Sequence, residues 1–127
     1  MELRPITAAD GPKTAGPYAH AINVCGAKEV LFIGGQMGFD ANRVTPPSFE
    51  EQARNAFINI DRQLRAAGMT KENLVKVTVY LADCKYRDGM RDARNAYLGG
   101  HQIAFTCVVT GIIDEQWFLE IEAYAAR

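Results

Sequence analysis

Val75-Lys76-Val77-Thr78-Val79-Tyr80-Leu81 decides the fold. Its apolar residues recur at every second position between Lys76, Thr78 and Tyr80, the pattern of a strand buried mainly on one face. On its N-terminal side, Ser48-Phe49-Glu50-Glu51 reads as a capping box, with serine accepting a backbone N–H and glutamate returning the bond. From about residue 49 to about 67, Ala53, Ala56, Phe57, Ile60, Leu64 and Ala67 recur at three and four, so an amphipathic helix is expected there, stopped by Gly68. Further back, short strands are expected near 19–25 and 29–35, joined by a turn at Gly26-Ala27. The opening to about residue 17, rich in Pro, Gly, Ala and Thr, reads as irregular.

On the C-terminal side a second helix is expected from about 86 to about 98, with Met90, Ala93, Tyr97 and Leu98 toward the sheet and Gly99-Gly100 as its end. Strands at about 104–110 and 117–125 follow. In the last, Trp117, Leu119, Ile121, Ala123 and Ala125 face one way, and Phe118, Glu120, Glu122 and Tyr124 the other. The order strand, strand, helix, strand, helix, strand, strand predicts an α+β domain, a single sheet with two helices packed on one face. Its other face carries aromatic and β-branched residues with no helix left to cover them, which points to self-association.

With 127 residues, 48% of them hydrophobic, the chain fits one domain spanning 1–127. A net charge of -1 supplies no broad positive field, so nucleic acid is a poor partner. Cys25, Cys84 and Cys107 are odd in number and lack metal spacing, as reduced thiols do. His20 and His101 have no partner at catalytic or metal-binding spacing, and Gly34-Gly35 is no nucleotide fingerprint, so neither metal nor cofactor is expected. The opening Met1-Glu2-Leu3-Arg4-Pro5 has no apolar signal stretch, and no run approaches the roughly 20 apolar residues of a membrane span. A soluble cytoplasmic protein is the expectation.

Glu120 is the leading candidate for chemistry. A carboxylate on a strand whose alternate residues are apolar is either paired or lines a cleft, where it serves as an acid or base. Glu122 shares its side and is the alternative. Tyr18 follows Gly16-Pro17, a stiffened turn that presents its ring. Cys107 has no neighbour in sequence that favours its thiolate, so packing or use of its backbone is preferred over nucleophilic attack.

Gly16-Pro17-Tyr18, Ile33-Gly34-Gly35-Gln36-Met37, Ala104-Phe105-Thr106-Cys107-Val108-Val109 and Leu119-Glu120-Ile121-Glu122-Ala123 together resemble the RidA family. The resemblance runs from Gly16 to Ala126 and implies a RidA/chorismate-mutase-like fold. It also implies a homotrimer whose sheets close a central β-barrel, with small-molecule sites in the clefts between subunits. Many members hydrolyse reactive enamines and imines to keto acids and ammonia. Carried onto this chain, the resemblance gives Glu120 the positioning of water and Cys107 a backbone carbonyl that helps hold it. Tyr18, Gly34, Gly35, Phe105 and Thr106 line the pocket, and His101 stabilises a turn.

Two positions depart from the deaminating pattern. Phe105 stands where those members carry an arginine that grips the substrate carboxylate, and Gly34 replaces a serine. An arginine fork makes two charge-assisted bonds, each worth about 1.5–3 kcal/mol in a sheltered site, and a phenyl ring makes none. Arg91, near the place of a family asparagine, offers a replacement cation from a neighbouring subunit. The sequence therefore points to a divergent imine or enamine hydrolase acting on an apolar or weakly acidic molecule. The alternative is a non-catalytic trimer that binds a small metabolite or protects proteins. An endoribonuclease ranks below both, for want of a basic stripe and paired histidines.

Overall fold

The computed structural model describes all of residues 1–127. Strands β1 (Glu2–Ile6), β2 (Ala21–Cys25) and β3 (Val30–Met37) precede helix α1 (Phe49–Ala66). Strand β4 (Leu74–Leu81), helix α2 (Arg87–Leu98), and strands β5 (Ala104–Val109) and β6 (Leu119–Ala126) complete the chain, with single 3-10 turns at Lys71–Asn73 and Cys84–Tyr86. Four strands form one sheet in the order β3-β6-β4-β5, antiparallel except for the parallel pair β4 and β5. A parallel pair needs a crossover, and α2 supplies it. The α+β class and both helices agree with the sequence reading.

Helix α1 starts where Ser48 Oγ accepts from Glu51 N at 3.2 Å, the serine half of the expected box. Ala53, Ala56, Phe57, Ile60 and Leu64 are buried along its inner stripe. They meet Val77, Val79, Leu81, Leu119, Ile121 and Ala123 on one sheet face. Each fully buried Leu or Ile there contributes about 1.5–3 kcal/mol. Helix α2 ends as expected, with Gly99 at φ 58° in the left-handed region. No helix is long and apolar enough to cross a membrane.

Two expectations change. The opening is not irregular throughout and the sheet is not single, because Glu2–Ile6 pairs antiparallel with β2 as a two-stranded sheet separate from the four-stranded one. Only Leu3 of that strand is even half-buried, so it lacks the apolar alternation by which strands are recognised. The second change is at Phe118, which packs toward the helices rather than beside Glu120. Its ring lies 5.1 Å from Tyr86, itself stacked on Phe49 at 4.5 Å. The alternation of β6 begins only at Leu119, since Phe118 N is turned to donate to Gln52 Oε1 at 2.9 Å.

The sheet face away from the helices is open. It carries Phe32, 74% exposed, packed edge-on against Tyr124 at 5.3 Å between centroids.

Candidate functional site

Strand β5 lies at the sheet edge, with Phe105 opposite Val77 and Cys107 opposite Val79. Directly paired residues share a face, so both side chains point to the side of α2. The N-terminal segment is laid along this edge, where Ala19 N donates to Ile103 O at 2.9 Å. That contact brings the Tyr18 ring to 5.7 Å from Phe105. Tyr18, Phe105 and Cys107, with Arg87, Arg91 and Arg94 of α2, line a cleft of about 370 Å³.

Arg94 dominates this cleft. It is 5% exposed, with its guanidinium carbon 4.5 Å from the centre of the Phe105 ring and 5.5 Å from that of Tyr18. Both distances are within cation–π range. Its Nε donates to Asn95 Oδ1 at 3.1 Å, and no carboxylate is close enough to pair with it. Burial draws its pKa below the usual arginine range, opposed by Tyr18 and Cys107, yet a guanidinium stays charged at neutral pH. Arg91 is exposed and ion-paired to Asp88 at 3.4 Å and Asp92 at 3.8 Å. Within one chain the cation over Phe105 is thus Arg94, while Arg91 stands on the wall of the same cleft. The signal was present in the sequence: Met90, Arg94 and Leu98 stand four apart and are the buried residues of α2.

Cys107 is half-buried, and burial pushes its thiol up, opposed by the nearby Arg94 and Arg87. A thiol so placed is a poor nucleophile at neutral pH. His101 is occupied structurally, its Nε2 lying 2.8 Å from Leu74 O. No three His, Cys, Asp or Glu side chains converge as a metal site would require.

Glu120 lies on the other sheet face. It is paired with Met37 of β3 and Tyr80 of β4, and its half-buried carboxylate makes no hydrogen bond or ion pair to protein. Between Ile33 and Gln36 the register with β6 shifts, so Gly34 and Gly35 form a bulge. The carboxylate occupies the space beside Gly35, where an added Cβ would stand 1.8 Å from Oε1. Glu122 is not equivalent, because Tyr80 Oη donates to its Oε1 at 2.7 Å. Thr106 also faces this side, bonded by Lys76 Nζ, so it is separated from the Phe105 cleft. Gly34 is exposed, with open space beside it.

Gly35→Ala tests this placement. The methyl group cannot coexist with the carboxylate, and displacing Glu120 by an ångström or more is expected to lower any Glu120-dependent turnover about tenfold or more. The check is kcat for the variant beside its melting temperature. An unchanged kcat in a folded variant would show that the bulge has no bearing on the reaction.

Within one chain, then, the sequence-derived candidates fall into two groups on opposite faces. Tyr18, Cys107 and Phe105 lie with Arg94 beside α2, while Glu120, Gly34, Gly35 and Thr106 belong to the open face.

The chain matches the family described as Endoribonuclease L-PSP over residues 8–127. It is 32% identical over 126 residues to the goat (Capra hircus) protein named 2-iminobutanoate/2-iminopropanoate deaminase, covering 98% of this chain and 90% of that one. A RutC family protein of Aquifex aeolicus is 31% identical over 121 residues, 94% of each chain. Among solved structures, a Rid-family protein of Yersinia pestis superposes with a TM-score of 0.83 over 100% of both chains at 23% identity, a likeness of fold.

Proposed function

Because the chain belongs to the RidA family, the group described as Endoribonuclease L-PSP, we propose that it hydrolyses small imines or enamines in a cleft shared between copies of itself. The observation that most supports this is Glu120, an unpartnered carboxylate held over Gly35 in a chain whose goat relative is named an imine deaminase. A carboxylate with no protein partner on a half-buried strand is free to hold water.

The chemistry is a balanced addition and elimination. An enamine first becomes the imine by gaining a proton on carbon and losing one from nitrogen. Water then adds its oxygen to the imine carbon while Glu120 accepts one of its protons and passes it to nitrogen. The C–N bond breaks as the hydroxyl oxygen forms C=O and its proton passes to the departing nitrogen, so ammonia leaves. The Cys107 backbone carbonyl steadies the water, and the thiol takes no covalent part.

Since Glu120 and the Tyr18–Phe105 cleft face opposite ways in one chain, a complete site needs Glu120 from an adjoining copy. The open sheet face, with Phe32 and Tyr124 uncovered, supplies the surface for that association. A trimer closing a central β-barrel brings the two halves together and hides these rings. Three unpaired cysteines suit a reducing compartment, so the cytoplasm is the proposed location. Phe105 makes the ligand body apolar or weakly acidic, unlike the short aliphatic imino acids in the goat relative's name.

The test is to incubate the purified protein with carboxylated and uncharged imines and measure ammonia. Release above the spontaneous rate from at least one class is expected. Saturable binding with no ammonia from any would replace the hydrolase with a non-catalytic binding trimer. RNA cleavage has no support from the charge, which is -1 overall.

A further inference from the structure

Arg94 has more hydrogen-bonding capacity than the fold uses. A guanidinium carries five N–H donors, and here only Nε has a protein acceptor, Asn95 Oδ1. No fully buried side-chain nitrogen or oxygen is left without a partner, so the unused Nη groups reach the open space of the cleft. Burying a cation without a counter-ion is costly, and such charges are normally paired. The Phe105 and Tyr18 rings offset part of that cost while leaving the edges of the guanidinium free to bond.

The rest of the cleft has the same sign. Arg87 and Arg91 stand with Arg94 on its wall, and no Asp or Glu of the same chain lines it, the one carboxylate of the proposed assembly being the water-holding Glu120 of the adjoining copy. Leu81, Met90 and Val109 make the remaining wall apolar. A volume of about 370 Å³ falls at the small-molecule end of the roughly 300–1,000 Å³ typical of ligand sites.

We propose that Arg94 is the specificity-determining cation of this cleft, binding the carboxylate of a small acid whose aromatic or branched apolar body packs against Phe105, Met90 and Val109. This rests on the cleft being the ligand site of the proposed hydrolase. It selects the acidic arm of that substrate class and places its anchor on α2. A planar fork over a planar ring favours a carboxylate, which takes two parallel N–H bonds.

The test uses the full-length protein and three probes: phenylacetate, its neutral isostere phenylacetamide, and inorganic phosphate. Calorimetric titration is expected to show phenylacetate binding at least tenfold tighter than the amide. Arg94→Gln is expected to weaken the acid about tenfold to hundredfold and the amide by less than threefold. In case that variant does not fold, the Arg94 Nε–H resonance of the wild-type protein serves as well. It is expected to shift with phenylacetate and stay in place with the amide. Equal affinity for acid and amide, acid binding in Arg94→Gln within twofold of wild type, or a stationary resonance under saturating acid would each overturn the assignment. Phosphate displacing phenylacetate at equal concentration would also overturn it, in favour of a general anion site. The hydrolase reading fails separately: acid binding that depends on Arg94 with no ammonia from any imine leaves the anchor and removes the enzyme. Equal ammonia release by wild type and Arg94→Gln from carboxylated and uncharged imines does the reverse.

Discussion

Glu120→Gln is expected to reduce ammonia release by on the order of a hundredfold or more, the usual worth of a positioned acid–base group, while leaving fold and assembly unchanged. The substitution keeps the shape of the side chain and removes only its ability to take a proton. Glutamine fits the space that Gly35 leaves open, and no protein hydrogen bond or ion pair is lost, because the carboxylate makes none. Glu122→Gln is the informative comparison. Tyr80 Oη can donate to an amide oxygen as it does to the carboxylate, so that variant should stay within a few-fold of wild type. Steady-state ammonia release, with size-exclusion chromatography of each variant, separates loss of chemistry from loss of assembly. Full activity in Glu120→Gln would remove the residue from the mechanism.

The elements best legible in the sequence are those whose signals are local. The alternation around Val77 and Val79 and the three-and-four stripe after Ser48 are complete within a single element, and both stand in the structure nearly where they were expected. Strand β1 was not legible because its stability comes from pairing with β2, about twenty residues away, rather than from a buried face. The candidate site is readable from the sequence as a set of residue types, but its geometry is not. Strand parity puts Glu120 with Glu122 and Phe105 with Cys107, but only the register of β5 on β4 and of β4 on β6 shows that these pairs face opposite ways. Partners then divide what parity leaves equal, since Tyr80 occupies Glu122 and Gly35 frees Glu120. Arg94 shares the stripe of Met90 and Leu98, yet an arginine on a helix is most often solvated, so the stripe alone does not mark it as buried. Its burial follows from the aromatic pair across the cleft, which no single segment displays.

The largest loss of stability is expected from Gln52→Leu, a substitution far from the candidate cleft. Gln52 is 1% exposed on the inner side of α1. Its Nε2 donates to Pro46 O and Gln116 O, each at 2.9 Å, and its Oε1 accepts from Phe118 N at 2.9 Å. One side chain thus ties the loop before α1 and the loop before β6 to the helix between them. Leucine is close in volume, so no large cavity opens and transfer of apolar surface favours the variant. Against that, two carbonyls and one N–H lose their partner together, at about 1–3 kcal/mol for each group left unsatisfied in a buried place. Water reaching the loop ends reduces the sum, and a net loss of about 3–5 kcal/mol is expected, a large part of the roughly 5–15 kcal/mol of a domain. For a chain of this size that is a fall of roughly 10–20 °C in melting temperature. Urea titration of wild type and variant measures it, and a loss below about 1 kcal/mol would show that water replaces the amide at little cost. Because Phe118 leads directly into Leu119 and Glu120, a variant that still folds should also lose turnover, as the strand carrying the carboxylate is no longer held at its start.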